Sequence, residues 1–160
     1  MSFKSEVVQW LCDNGFSSLD VELDNDFYYS TGEDTNFNYV NECVINIGTD
    51  RFDEIDKWFE QFLYEYGLEW MDLGRVLPFI HELGHHNTIY SFSNAERLAM
   101  YYSKFHISFD EDEDETIEKM FEYWEVPDEF AANVWTVNFI NKNISEVERL
   151  VNIFLKYQMM

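Results

Sequence analysis

Two histidines and a glutamate within LPFIHELGHHNTIY, residues 77–90, have the spacing of a metal site. His81 and His85 are four positions apart. On a helix they would lie on one face, about 6 Å apart along the axis, so both imidazoles could reach one ion. Glu82 points around the helix from that face, which suits a general base better than a third ligand. The spacing therefore predicts a zinc site of the His-Glu-x-x-His type.

A hydrolytic zinc site needs a third protein ligand and one open position, so a ligand must come from another part of the chain. The sequence offers Glu96, His106, Glu122, Glu125, Glu129 and, beside the motif, His86. His86 is rotated by about 100° from His85 around a helix, so it does not share the face of the pair. Glu129 fits best, because it begins a predicted helix in which small residues permit close packing against the motif helix.

The two segments together resemble a known family. HELGHH followed by PDEFAANVW is similar to the ImmA/IrrE-type small zinc peptidases, which are common in prophages and other mobile elements. The second motif of that family reads Glu-x-x-Ala-Asn, with an aromatic residue shortly after it. Glu129, Ala132, Asn133 and Trp135 match this pattern.

The resemblance implies both a fold and an activity. It implies a minimal gluzincin-like α+β domain in which Zn²⁺ is held by His81, His85 and Glu129, with Glu82 as general base. Some members of the family cleave a repressor, so the implied substrate is a specific regulatory protein in a phage or mobile-element setting. The resemblance covers roughly residues 75–141, and the 44 positions from His85 to Glu129 are more than is usual in the family.

A peptidase of this kind also needs a donor that stabilises the tetrahedral oxyanion. The sequence offers His86, Tyr90, Tyr101, Tyr102 and His106 and does not choose among them. Asn133, in the second motif, is a further residue expected near the site. Because the chain has ten tyrosines, packing is the expected role of any one of them.

The apolar pattern predicts one α+β domain over residues 1–160. Alternation over Val21–Tyr29 and Phe37–Ile47, with the turn-forming TGEDTN between them, predicts a β-hairpin or small sheet near the N-terminus. Helical periodicity predicts helices before Asn14, from about Thr49 to Tyr66, through the motif with Pro78 in the first turn, at Ala95–Phe105, at Ile117–Trp124, from Pro127 to about Ile140, and at the C-terminus. An acidic insertion is expected near residues 107–116.

The charge of the chain restricts its partners. Thirty-two acidic residues against ten basic ones give a net charge of −22. Such a chain repels duplex nucleic acid, so direct nucleic-acid binding is not expected. Two interpretations of the charge remain: a solvated surface that keeps the protein soluble, and attraction to a basic protein partner. The alternative to a peptidase is therefore a non-proteolytic acidic inhibitor with a metallopeptidase-like fold, which blocks a basic nucleic-acid-binding protein of a restriction or defence system.

Cysteine usage and hydropathy indicate a cytoplasmic protein. Cys12 and Cys43 form no CxxC pair and are expected to be free thiols. The N-terminal MSFKSEVVQW lacks the apolar core of a signal peptide, and no apolar run approaches the length of a membrane span.

Overall fold

The computed structural model of the chain describes residues 1–50, 53–70, 72–107 and 113–160. Over these ranges the predicted α+β class is confirmed, with seven α-helices and a three-stranded sheet near the N-terminus. The elements are α1 (Phe3–Asp13), β1 (Leu19–Asp24), β2 (Tyr28–Ser30), β3 (Cys43–Gly48), α2 (Asp53–Glu65), α3 (Val76–Thr88), α4 (Asn94–Phe105), α5 (Glu113–Trp124), α6 (Pro127–Lys142) and α7 (Ile144–Lys156), with a 3₁₀ turn at Ile89–Ser91. Residues 108–112 of the predicted acidic insertion lie outside the described ranges.

The sheet is mixed, with strand order β1-β3-β2. β2 pairs antiparallel with β3, as the predicted hairpin requires, with Tyr29 opposite Ile45. β3 begins only at Cys43, so residues 37–42 of the predicted second strand belong to the connection between β2 and β3. β1 lies on the other side of β3 and runs parallel to it, with Val21 also opposite Ile45. The predicted first strand is therefore two strands, separated by residues 25–27. β3 takes the middle because it is the most apolar strand, with Ile45 and Ile47 fully buried.

Every helix except α4 contributes buried residues to a common core. Phe79 of α3 lies at its centre and contacts Trp10 of α1 and Phe154 of α7 with ring centroids 6.3 and 5.9 Å apart. The indole N–H of Trp10 donates to the Glu146 carbonyl at 2.8 Å, which joins α1 to α7. Arg75, immediately before α3, donates to the Gly48 carbonyl at the end of β3. The sheet and the N-terminal end of α3 are thereby held together.

Helix ends follow the local signals in the sequence. Ser93 caps α4 through a capping box with Glu96. Pro127 occupies the first turn of α6, where its missing N–H is not needed. α5 begins at Glu113, four residues before the predicted start. No helix within the described ranges is long and apolar enough to cross a membrane.

Candidate metal centre

His81 and His85 lie on the buried side of α3. Four apolar residues of this helix, Leu77, Phe79, Ile80 and Leu83, are fully or almost fully buried and fix the rotation of the helix. The two imidazoles lie next to each other, with ring centroids 4.7 Å apart, and are only 7% and 8% exposed. His81 also packs edge-on against Phe59 of α2 at 5.1 Å. Two ring nitrogens are therefore presented together inside the protein.

Glu129 reaches this pair from the first turn of α6. Its Oε2 lies 2.8 Å from His81 Nε2 and 2.6 Å from His85 Nε2. Its side chain is almost fully buried. Burial alone would raise the pKa of Glu129, but the charges of His85 and His81 and their hydrogen bonds outweigh it and hold that pKa well below its usual range. Three donor atoms from two helices thus meet at one point.

The close approach of α3 and α6 depends on a glycine. A Cβ placed on Gly84 would lie 2.8 Å from the Ala132 carbonyl oxygen and 3.1 Å from Thr136 Oγ1. Thr136 Oγ1 in turn donates to the Ala132 carbonyl at 2.7 Å. Because the small residues Gly84 and Ala132 face each other, Glu129, one turn earlier on α6, comes within hydrogen-bond distance of the histidines.

Glu82 lies beside the three donors and borders open space. It is partly buried and lines two cavities of about 720 and 560 Å³, which share Phe27, Glu82, Tyr123 and Glu129. Removal from water raises the pKa of Glu82 to about 7; the charge of His81 opposes this rise and that of Glu129 adds to it. A carboxyl group with a pKa near neutrality is suited to exchanging protons.

Lys104 and Asp128 belong to the same cluster, although no pattern in the sequence selects them. Lys104 Nζ of α4 lies 2.6 Å from Asp128 Oδ2 and 3.1 Å from Glu129 Oε1. Burial lowers the pKa of Lys104, but the charges of Glu129 and Asp128 more than compensate and raise it. Tyr123 of α5 completes this side, with its ring 5.4 Å from Lys104 Nζ. Burial and then the Glu129 charge raise the pKa of Tyr123. The proximity of α4 to Asp128 and Glu129 is visible only in the folded structure, because it depends on tertiary packing.

The candidate oxyanion donors are dispersed. His86 Nδ1 lies 2.8 Å from the Tyr29 hydroxyl of β2, and burial lowers the pKa of His86. Tyr90 is exposed, with its hydroxyl 3.5 Å from that of Tyr29. Asn133 is fully buried and donates to the Trp124 carbonyl at 3.1 Å, so it ties α6 to α5. Of the remaining candidates, Tyr101 borders the larger cavity, whereas Tyr102 and His106 are exposed.

The other candidate third ligands are on the surface. Glu96 is exposed, and its carboxylate accepts from the Ser93 backbone N–H in the capping box of α4. Glu122 and Glu125 are exposed as well. Glu129 is the residue of this group that the structure brings to the histidines.

The donor set fits zinc in its chemistry. Two imidazole nitrogens and one carboxylate oxygen form a known catalytic zinc set. His81, Glu82 and His85 also offer ligand atoms that lie within 4.8 Å of one another. Tetrahedral zinc holds its ligand atoms roughly 3.3 Å apart. The contacts of 2.6 and 2.8 Å to Glu129 would therefore have to widen by about half an ångström or slightly more to admit the ion.

One ring nitrogen in the cluster is unsatisfied. His81 Nδ1 is buried and has no hydrogen-bond partner among the described residues. The orientation of this ring therefore rests on its packing against Phe59 and on Glu129 rather than on an acceptor behind it.

Comparison with known proteins identifies no relative of this chain. No known protein family matches the chain, and neither a curated protein nor a solved structure is similar to it.

Proposed function

We propose that this chain is a zinc-dependent endopeptidase that cleaves a specific regulatory protein, in the manner of the ImmA/IrrE-type peptidases that its two motifs resemble. The observation that carries the proposal is the convergence of His81 Nε2 and His85 Nε2 on Glu129 Oε2, at 2.8 and 2.6 Å. Glu82 lies directly beside this group and lines the adjoining cavity.

Each residue has a distinct part in the proposed reaction. His81, His85 and Glu129 hold Zn²⁺, whose chemistry when bound is to polarise a peptide carbonyl and to lower the pKa of water towards neutrality. Glu82 accepts the proton of the attacking water and returns it to the leaving amine. The burial of His81, His85 and Glu129 strengthens the electrostatic interactions among them.

The space around Glu82 suits a polypeptide substrate. Cavities of about 720 and 560 Å³ meet at Glu82 and Glu129, so a chain could extend on both sides of the site. The smaller cavity has apolar walls that include Ile55, Phe59 and Trp124. The larger one carries charged groups, among them Arg97 and Lys104. We place this activity in the cytoplasm, where the free thiols Cys12 and Cys43 remain reduced.

The decisive experiment separates zinc binding from bond cleavage. Wild-type protein and Glu82→Gln are purified, their zinc content is measured, and each is incubated with a proteome-derived peptide and protein library in which new N-termini are identified by mass spectrometry. We expect about one zinc per chain in both proteins. New N-termini should form with the wild type and form at least about 10²-fold more slowly with Glu82→Gln, because the general base is lost.

Two results would reject the peptidase. One is equal cleavage by Glu82→Gln and the wild type, which would indicate a contaminant. The other is a zinc-loaded wild type that produces no new N-termini. Glu125→Gln removes an exposed carboxylate near the start of α6 and serves as the matched control, with cleavage unchanged.

A second candidate function has its own supporting observation. Positions 98, 101, 102 and 105 form one stripe of α4, and their side chains Leu98, Tyr101, Tyr102 and Phe105 are 47–74% exposed. An apolar stripe of this kind on a chain with a net charge of −22 suits an acidic inhibitor that binds a basic protein. For an inhibitor, biological activity should survive Glu82→Gln and be lost when Tyr101 and Phe105 are both replaced by Ser. For a peptidase, biological activity should instead be lost in Glu82→Gln.

A further inference from the structure

Lys104 is bound between two carboxylates at the candidate metal centre. Its Nζ lies 2.6 Å from Asp128 Oδ2 and 3.1 Å from Glu129 Oε1, and its side chain is only 19% exposed. Lys104 comes from α4, whereas both carboxylates come from the first turn of α6. A lysine that loses most of its hydration and the freedom of a four-carbon stem must be held by specific contacts, and these two supply them.

The two histidines and Lys104 contact different oxygens of Glu129. Oε2 lies 2.8 Å from His81 Nε2 and 2.6 Å from His85 Nε2, whereas Oε1 accepts a hydrogen bond from Lys104 Nζ at 3.1 Å. A carboxylate that accepts hydrogen bonds at both oxygens cannot rotate without losing some of them. Lys104 therefore helps to hold the Glu129 carboxylate in the orientation in which one oxygen faces His81 and His85.

The position of Asp128 resolves a conflict in this arrangement. A lone ammonium group next to a metal ligand would repel a divalent cation. The Asp128 carboxylate lies closer to Lys104 than Glu129 does, at 2.6 against 3.1 Å, and compensates its charge. Asp128 is itself held by its neighbour, because its Oδ1 accepts from the Glu129 backbone N–H at 2.9 Å. The Lys104–Asp128 pair thus orients Glu129 while adding little net charge.

We propose that Lys104 is the positioning residue of the metal centre: it holds the Glu129 carboxylate with Oε2 towards His81 and His85, and Asp128 holds Lys104 in turn. This inference rests on the metal site of the proposed function but not on peptide cleavage. It gives α4, which lies outside both sequence motifs, a role in zinc affinity.

The test is the affinity for Zn²⁺, measured by competition with a chromophoric chelator. We expect Lys104→Met to weaken zinc binding about 10- to 100-fold, the usual effect of removing a group that orients a ligand. Lys104→Arg should restore most of the affinity, because a guanidinium can donate to both carboxylates. Asp128→Asn should also weaken binding, because Lys104 then loses its stronger partner and keeps an uncompensated charge.

The matched control is Lys156→Met. Lys156 also pairs with a carboxylate, Glu6, at 3.0 Å, but it is 59% exposed and lies on α7. Its loss should leave zinc affinity unchanged. The absorption bands of Co²⁺ bound in place of zinc give a second readout, since they depend on ligand geometry. They should change in Lys104→Met and stay constant in Lys156→Met.

The results separate this inference from the proposed function. All affinities are repeated in the Glu82→Gln background, where no cleavage is expected, so an absence of peptidase activity leaves the test intact. Zinc affinity in Lys104→Met that equals or exceeds that of the wild type would overturn the positioning role, even for an active peptidase. If Lys104→Met does not fold, Asp128→Asn carries the test, and unchanged affinity there is equally contrary. A wild type that binds no zinc would reject both proposals at the first measurement.

Discussion

Adjacent residues of α3 contact different parts of the molecule, because successive side chains of a helix point about 100° apart. His85 faces Glu129 on α6, with 2.6 Å between Nε2 and Oε2. His86, the next residue, faces the sheet, where its Nδ1 lies 2.8 Å from the Tyr29 hydroxyl. Helix geometry thus directs two neighbouring imidazoles to separate places: His85 to Glu129 at the candidate metal centre and His86 to the contact between α3 and β2.

Replacing His86 by Asn should reduce stability without loss of zinc. The change removes the hydrogen bond between α3 and β2, which contributes about 0.5–1.5 kcal/mol to the free energy of unfolding. Tyr29→Phe should cost a similar amount, and the double variant should cost less than the sum, because both changes remove the same bond. Urea unfolding and zinc content together check this. Loss of zinc from His86→Asn would show instead that His86 is a ligand.

The sequence alone identifies the candidate site residues whose positions depend on local spacing and helix signals. His81 and His85 are fixed relative to each other by one helical turn, and Glu129 could be selected because it starts a helix with small residues behind it. Lys104 had no such signal. It meets Glu129 only because α4 returns across α6, a contact between residues 25 positions apart that no periodicity in the sequence reports.

Among the secondary-structure elements, the packing of α3 against α6 sets the geometry of the candidate metal centre. The histidines belong to α3 and Glu129 to α6, so the distance between the helices sets the distance between the donors. Gly84 faces the backbone of Ala132 at the crossing. The geometry of the candidate metal centre therefore depends on a residue that has no side chain.

Gly84→Ala should destabilise the protein, although alanine favours a helix by about 1 kcal/mol. The new methyl group would lie 2.8 Å from the Ala132 carbonyl oxygen and 3.2 Å from Ala132 Cα, and these backbone atoms can yield only if α6 moves away. We expect a net loss of about 1–3 kcal/mol in the free energy of unfolding, typical of overpacking. Zinc affinity should fall in parallel, because Glu129 withdraws with α6.

The control for this prediction is Asn138→Ala on the exposed side of α6, where only helix propensity changes. It should stabilise the protein slightly and leave zinc affinity as it was. Gly84→Ala with wild-type stability and affinity would mean that the helices are not in close contact at this point.

The elements themselves differed in how far the sequence predicted them. The helices followed from periodicity and caps, because those signals lie within each segment. The sheet did not follow in full: alternation predicted the strands, but the parallel pairing of β1 with β3 is a relation between segments more than 20 residues apart. Residues 25–27 interrupt the alternating stretch and allow β1 and β2 to flank β3 on opposite sides.

The whole molecule combines a large excess of negative charge with a continuous apolar core. Several basic residues of the described ranges form ion pairs, as with Arg97 and Glu33 at 2.9 Å and Arg149 and Asp13 at 2.7 Å. The remaining acidic residues create a field that attracts cations and basic proteins and opposes compaction. The core must therefore offset this repulsion, and Trp10, Phe79 and Phe154, all fully buried, lie at its centre.

Removal of zinc should leave the chain folded. The core does not pass through the metal centre, and without an ion Glu129 still has contacts at both oxygens, from the two histidines and from Lys104. Excess EDTA should therefore leave the far-ultraviolet circular dichroism spectrum unchanged. This behaviour differs from that of small zinc domains, which unfold without their metal.

Zinc should nevertheless raise the melting temperature through mass action. Zinc at about 100 times its dissociation constant adds about 2.7 kcal/mol of stability. For a chain of this size, that corresponds to roughly 5–10 °C. The shift should shrink strongly in Glu129→Gln, which loses a ligand, and persist in Glu125→Gln. Melting curves with EDTA and with buffered zinc measure both effects. Unfolding by EDTA at room temperature would contradict the argument, because it would make the ion a structural part of the fold rather than a group added to a site already formed.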